Sequence, residues 1–433
     1  MSWSSPVQRN IVAGMARRNA AARSLPIRRA SGNIVSCMQG KDVMLRIEDL
    51  ADRFTRDLPG LLAHIEEVVN IDSGSRDVEG VNRVQSIFAA QLRDLGFAVM
   101  RVPGSGRGDQ LTARRAFGSG PNVLILGHAD TVWPAGTAAE WPFGRSGDAL
   151  TGPGIADMKS NVILAIHALK LLIEGVGGAD MSGVGSVTFL IVPDEEIGSP
   201  QSKDWITAEG ARCDFCLTLE PARPGGGTVV SRGAVGAAYI NATGVTAHAG
   251  SNRLGGASAI SALAPLVGGI EALGSIEAGN YATVGVLRGG ASKQVVAGEC
   301  EAHLDLRASS RQEADRLWEE ITRIVETAPR DPRVTLTLTG GFIRPCFPQL
   351  PGMTALYGRA EAFARALRHP IAPNVSRGGS DGSFVAAQGK PTLDGLGVIG
   401  HDICSRREWA ELSSLAPRGA MLAGLIASGG DVL

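Results

Sequence analysis

The chain has 433 residues, 44% hydrophobic, 20% charged and 5% aromatic, which is long and apolar enough for more than one core, so two domains are expected. Its 42 Lys and Arg against 43 Asp and Glu leave a formal net charge of −1, which excludes the broad electrostatic attraction of a nucleic-acid or anionic-membrane binder. No uncharged apolar run approaches the ~18 residues of a membrane span; the stretch from Ala257 to Leu273 is broken by Pro265, Gly268, Gly269 and Glu271.

Residues 1–43 carry Arg9, Arg17, Arg18, Arg23, Arg28, Arg29 and Lys41, with no acidic residue before Asp42 and no apolar segment of a secretory signal. A disordered extension, or a start placed too early ahead of Met44, is expected there. From Ile47 to Ile71 the residues Leu50, Phe54, Leu58, Leu61, Leu62, Ile65 and Val69 recur at helical spacing, and Val81 to Leu95 repeats the pattern. Short β-rich runs follow, VLILGHAD (Val123 to Asp130), SVTFLIVPDEE (Ser186 to Glu196) and FCLTLE (Phe215 to Glu220), with a helical stretch from Met158 to Glu174 between the first two.

Continuous apolar strands alternating with helices imply a mostly parallel sheet covered by helices on both faces. Sites in such sheets form outside the carboxyl ends of the strands. Each of the three runs carries its His, Asp or Glu at that end. After the RPGGG break (Arg223 to Gly227) the rhythm changes to strand Ala234 to Val245, helix Ala257 to Leu273, strands Ala282 to Leu287 and Cys300 to Leu306, helix Arg311 to Val325 and strand Val334 to Leu338. That β-α-β-β-α-β order is ferredoxin-like. The expected organisation is one α/β domain from residues 44–228 and 342–433, with residues 229–341 inserted as an α+β domain.

His128 and Asp130 in GHADTVWP are spaced so that a strand-end histidine can bind a metal while the carboxylate positions its ring. Asp157 lies in the tight GPGIADMKS turn before a helix, where a helix cap is the bland alternative. Glu195 and Glu196 in PDEEIGS are adjacent carboxylates, costly together without a cation or solvent. Glu220 ends the apolar run in LTLEPAR.

In this order the fragments resemble the M20 family of metallopeptidases, in particular its glutamate carboxypeptidase and aminoacylase branch, from about Leu45 onward. The resemblance implies two Zn²⁺ per chain, with Co²⁺ or Mn²⁺ as alternatives. His128 and Glu220 would bind one ion, Asp157 would bridge both and Glu196 would bind the second. Glu195 matches the general base and Asp130 the carboxylate behind the histidine. The inserted segment resembles the family's lid, which also forms a homodimer contact. Its His248 matches a histidine that reaches a neighbouring subunit's site. Arg344 matches the arginine that holds a substrate carboxylate, and Gly378, Gly379 and Asp381 match a turn lining the pocket. The implied activity is dizinc hydrolysis of an amide, releasing a glutamate-like amino acid from a small N-acyl or peptidyl substrate. An aminoacylase or dipeptidase preference is the alternative within the family.

The sequence departs from the family at its last metal ligand, ordinarily a histidine after DGLG. In DGLGVIGHDICSRREW (Asp394 to Trp409), Cys404 falls at that position and His401 three residues before it. Three arrangements are compatible with this change: a Cys404 thiolate ligand, a His401 that swings in, or a weakened second site in a protein that binds carboxylate ligands without turnover. A second departure is Gln294, where the family generally has Asn in a substrate contact. The CDFC run has no second pair, and Cys216 sits within an apolar strand, so Cys213 and Cys216 read as buried and inert. Six cysteines in all (Cys37, Cys213, Cys216, Cys300, Cys346 and Cys404) are too sparse for a disulfide scaffold, which fits a reducing, cytoplasmic compartment.

Overall fold

The computed structural model describes residues 45–429; the expectation for residues 1–43 lies outside them. In chain order the principal elements are α1 (Ile47–Val69), α2 (Val78–Asp94), β1 (Ala98–Val102), β2 (Gln110–Ala116), β3 (Asn122–His128), α3 (Ser160–Ile173), β4 (Ser186–Val192), α4 (Lys203–Arg212) and β5 (Phe215–Thr218). There follow β6 (Ala234–Thr243), α5 (Ala259–Glu271), β7 (Asn280–Gly289), β8 (Glu299–Ala308), α6 (Arg311–Thr327), β9 (Thr335–Arg344), α7 (Pro351–Ala366), β10 (Thr392–Leu393) and α8 (Leu415–Ala427).

The first sheet runs β1-β2-β4-β3-β5-β10. β4, β3, β5 and β10 pair in parallel, while β1 pairs with β2 and β2 with β4 antiparallel. This sheet is therefore mixed, and its antiparallel edge was absent from the sequence reading because β1 alternates exposed and half-buried residues and β2 carries Arg114 and Arg115. β3 and β4 are buried along almost their whole length, as continuous apolar strands covered on both faces should be. α1, α3 and α8 pack against one another on this core. α3 buries residues all round its circumference, which is the packing of an interior helix. Among the described residues no single helix is long and apolar enough to cross a membrane.

The segment from Ala234 to Arg344 builds a second, wholly antiparallel sheet with β7, β8, β6 and β9 in that order, and a two-residue strand at the β7 edge. Its strands alternate buried and open residues, so one face lies on α5 and α6 and the other is open. Its apolar core is a cluster separate from that of the first sheet. Ser310 Oγ accepts from the Glu313 N–H at the start of α6, a side-chain N-cap. β9 runs on to Arg344, past the expected end at Leu338. A Cβ on Gly340 would sit 2.2 Å from the Ala237 carbonyl oxygen, so glycine there permits close strand approach.

Two small sheets escaped the sequence reading. Ala372–Ser376 pairs in parallel with Gly227–Arg232. Four strands of two or three residues, Gly400–His401, Trp409–Glu411, Ala149–Thr151 and Gly144–Ser146, form an antiparallel sheet. Runs this short carry no hydrophobic period. Their consequence is large, because they set the loop containing Cys404 beside the turn containing Asp157.

Phe189, fully buried at the middle of β4, is expected to cost about 3–5 kcal/mol when replaced by Ala, read from urea unfolding of the full chain. A change within about 0.5 kcal/mol would contradict its place in the core.

Candidate metal centre

His128, Glu196 and Glu220, with the predicted base Glu195, are carried to the carboxyl ends of the strands of the first sheet. His128 is the last residue of β3, Glu195 and Glu196 open a single 3₁₀ turn just after β4, and Glu220 follows β5 by two residues. Asp157 lies in the kinked turn Ile155–Lys159 that leads into α3. His128, Asp157 and Glu220 offer ligand atoms within 4.8 Å of one another, and Asp157, Glu196 and Cys404 do the same. Asp157 belongs to both groups.

The histidine is fixed from behind. Its Nδ1 lies 2.9 Å from the Asp130 backbone oxygen and 3.4 Å from the Asp130 carboxylate, and Nε2 faces Asp157 Oδ1 at 3.2 Å. The Asp130 carboxylate has a wider task than the sequence suggested. It accepts from Ser75 Oγ at 2.7 Å and from the backbone N–H groups of Glu195 and Glu196 at 3.1 and 3.2 Å. One buried carboxylate thus ties the ends of β3 and β4 together.

The acidic groups crowd one another. Burial pushes Glu195 up to about 7, against the opposing pull of Arg344. Burial and the nearby Asp157 push Glu196 and Glu220 well above the usual carboxylate range. For His128, burial would lower the imidazole pKa, but the hydrogen bonds to Asp130 and Asp157 outweigh it and hold it well above its ordinary value. Buried carboxylates at this density are costly unless cations share the site. Nitrogen, oxygen and sulfur donors in two groups joined by one carboxylate suit a pair of divalent ions.

Cys404 is the solvent-facing member, with Sγ 3.6 Å from Asp157 Oδ2. Its backbone is left-handed, φ +59°, which costs a non-glycine residue about 1 kcal/mol. His401 is elsewhere. Its ring stacks on Trp409 at 3.9 Å and 4°, and its Nε2 meets Glu411 at 2.8 Å. The arrangement in which His401 completes the cluster is therefore not the one adopted.

Arg344, delivered by the end of β9, pairs with Glu195 Oε1 at 2.7 Å and Asp381 Oδ1 at 3.2 Å. Its Nε and Asp381 Oδ2 are buried without a partner among the described residues. A Cβ on Gly379 would stand 2.8 Å from Arg344 Nη1, so only glycine lets the guanidinium lie against that turn. His248 and Gln294 sit together on exposed loops of the second sheet, through a bridge between His248 and Val295. Neither bonds to the cluster among the described residues. Cys213 and Cys216 are buried, and burial pushes the Cys213 thiol up to about 12.

Four further residues support the cluster, and the part each plays was not read in the sequence. Arg232 meets Asp394 at 2.7 Å and donates to the carbonyls of Gly378 and Gly379, setting the turn against which Arg344 rests. Glu408 accepts from the N–H groups of Ala156 and Asp157 at 3.0 and 3.2 Å. Lys159 is fully buried, donates to the Ile71 carbonyl at 2.6 Å and is lowered by burial to about 7. Arg418, also fully buried, donates to the carbonyls of Gly395 and Gly397 and so holds the DGLG loop. Arg232, Lys159 and Arg418 are each a charge in or beside an apolar run, where the only available signal was that a charge stood in an otherwise buried pattern.

Against known proteins, the model of peptidase family M20/M25/M40 matches residues 124–428. Carboxypeptidase G2 of Pseudomonas sp. (strain RS-16) is 30% identical over 379 residues, covering 86% of this chain and 90% of that protein. A succinyl-diaminopimelate desuccinylase of Leptothrix cholodnii is 27% identical over 379 residues, 82% and 95% of the respective chains. The crystal structure of an M20 family metallo-carboxypeptidase, Sso-CP2 from Sulfolobus solfataricus, superposes with a TM-score of 0.68 at 16% identity, over 85% of this chain and 98% of that one.

In metal-free protein, Glu195, Glu196, Glu220 and His128 all have folded-state pKa values above their ordinary ones. Their contribution to stability is complete below the unfolded pKa values and is lost as pH rises through the folded ones, through about 7 for Glu195. The thermal midpoint of chelator-treated protein is expected to fall between about pH 5 and 8, each titrating group contributing up to about 1.4 kcal/mol per pH unit. Added Zn²⁺ at the upper end should restore it. A midpoint that rises over this range would contradict the arrangement.

Proposed function

From the premise that the chain belongs to peptidase family M20/M25/M40 and is a hydrolase, we propose a dinuclear metal-dependent amidohydrolase that releases a carboxylate-bearing, glutamate-like amino acid from an N-acyl or peptidyl group. The observation that carries this reading is the sharing of Asp157 between two ligand groups. His128 and Glu220 would hold one ion with Asp157, and Glu196 and Cys404 the other. Two divalent ions, Zn²⁺ or alternatively Co²⁺, with Mn²⁺ a further alternative for the ion held by His128 and Glu220, would supply charge that offsets the carboxylates, acidifies water and polarises a scissile carbonyl.

Proton transfer falls to Glu195. Its carboxylate takes a proton from the attacking water and returns it to the leaving nitrogen. A group held near 7 is suited to both halves of that exchange. Arg344 steadies Glu195 through the 2.7 Å pair and has an unpartnered Nε for the carboxylate of the departing amino acid. The acyl side of the substrate would lie in the cleft of about 620 Å³ bounded by Glu196, Ile197, Thr131, Val132, Trp133 and Arg76. Val132 and Ile197 are 44% and 38% exposed there, so the wall is apolar and favours an apolar acyl group. The relatives' names, a carboxypeptidase and a desuccinylase, fit cleavage of an acyl–nitrogen bond beside a carboxylate. Aminoacylase and dipeptidase preferences belong to the same chemistry.

Homodimerisation through residues 229–341 is part of the proposal. His248 and Gln294 are exposed and unengaged with their own chain's cluster, so a second copy is what would give them a role at the site.

Replacing Glu195 by Ala is expected to reduce turnover of N-acyl-glutamates by about 10²–10⁴-fold, with the metal content per chain unchanged in elemental analysis. Turnover retained within a few-fold would contradict the assignment of Glu195.

A further inference from the structure

The two halves of the cluster are chemically unequal. One group offers nitrogen and oxygen, from His128, Asp157 and Glu220; the other offers oxygen and sulfur, from Asp157, Glu196 and Cys404. We infer that the Cys404 thiol makes the second site selective for thiophilic divalent cations such as Zn²⁺, Co²⁺ and Cd²⁺, and that a hard cation such as Mn²⁺ is confined to the first. This inference rests on the dinuclear reading above.

The geometry holds Cys404 in place from both sides. Towards the cluster, the Glu408 carboxylate accepts from the backbone of Ala156 and Asp157, binding the Cys404 loop to the Asp157 turn. Within the loop, Ser405 Oγ donates to the Asp402 carbonyl at 2.7 Å and the Glu408 N–H donates to the Ser405 carbonyl at 2.9 Å. Towards solvent, the Arg406 guanidinium lies over Trp133 and Trp141, at 5.4 and 5.9 Å from the ring centroids, and pairs with Glu140 at 3.0 Å. Trp133 and Trp141 meet edge to face at 5.4 Å, so Arg406 rests on a rigid support.

Among the described residues no nitrogen ligand stands within the group formed by Asp157, Glu196 and Cys404. Freeing His401 would break both its stack on Trp409 and its bond to Glu411, and these two residues lie in the strand paired with Ala149–Thr151. A thiolate favours borderline and soft cations, whereas carboxylates and water suit Mn²⁺. The sulfur is supplied at one site only.

The test is a Co²⁺ titration of the metal-free full chain under reducing conditions, followed by absorbance, with bound Mn²⁺ counted separately by equilibrium dialysis. Two Co²⁺ per chain are expected, with a sulfur-to-cobalt charge-transfer band in the near ultraviolet that grows with one equivalent only. Cys404→Ser should lose the band while keeping the first ion. One Mn²⁺ per chain is expected in the parent and two in Cys404→His, a second variant that does not depend on the serine protein folding. Two Co²⁺ without the band, a band that survives in Cys404→Ser, or two tight Mn²⁺ in the parent would overturn the inference and leave the dinuclear reading standing. A parent that binds no Co²⁺ would overturn both.

Discussion

Like charge gathered in a buried place is the constraint on which this molecule turns. Asp157, Glu195 and Glu220 are buried and Glu196 and Cys404 adjoin them, with His128 as the cluster's own nitrogen. Such a group disperses or takes up protons unless something holds it and something neutralises it. The holding is visible at each corner. Asp130 fastens the turn after β4 to the end of β3, Glu408 fastens the Asp157 turn, and Arg232 with Asp394 fastens the glycine turn beneath Arg344. The neutralising falls to Arg344 on one flank and, in the proposed function, to two divalent ions at the centre.

The two sheets serve this cluster differently. The first exposes the C-terminal ends of parallel strands at one edge and so gathers His128, Glu195, Glu196 and Glu220 with little loop between strand and ligand. That placement gives precision, because the buried strands hold the backbone from which each ligand starts. The second sheet reaches the cluster through Arg344, at the end of β9.

Much of this was legible in the sequence, for a physical reason. Buried parallel strands read as unbroken apolar runs, and a His, Asp or Glu that ends such a run stands out against it, as His128 and Glu220 do. The β-α-β-β-α-β order from Ala234 to Leu338 likewise announced a second sheet with its own two helices. What stayed hidden has no period to detect. The strands Gly400–His401 and Ala149–Thr151 are too short to alternate, so the loop that carries Cys404 could be placed only by resemblance, and whether Cys404 or His401 faced Asp157 was open. Arg232, Glu408 and Arg418 act through partners more than 150, 200 and 20 residues away respectively in hydrogen bonds that no local pattern encodes. Asp130 was found for its neighbour His128, while its larger role, holding the Glu195–Glu196 turn, depends on a strand some sixty residues on.

In the proposed function the cluster is a centre that works only with two cations bound. The most direct measurement is turnover of a panel of N-acyl amino acids, N-acyl-glutamates first, against the number of Zn²⁺ ions bound per chain in protein stripped by chelator and reloaded stepwise. Turnover that is absent in the stripped protein and reaches its plateau only as the second ion binds is the predicted result. Full turnover in the stripped protein, or a plateau reached with a single ion per chain, would contradict it.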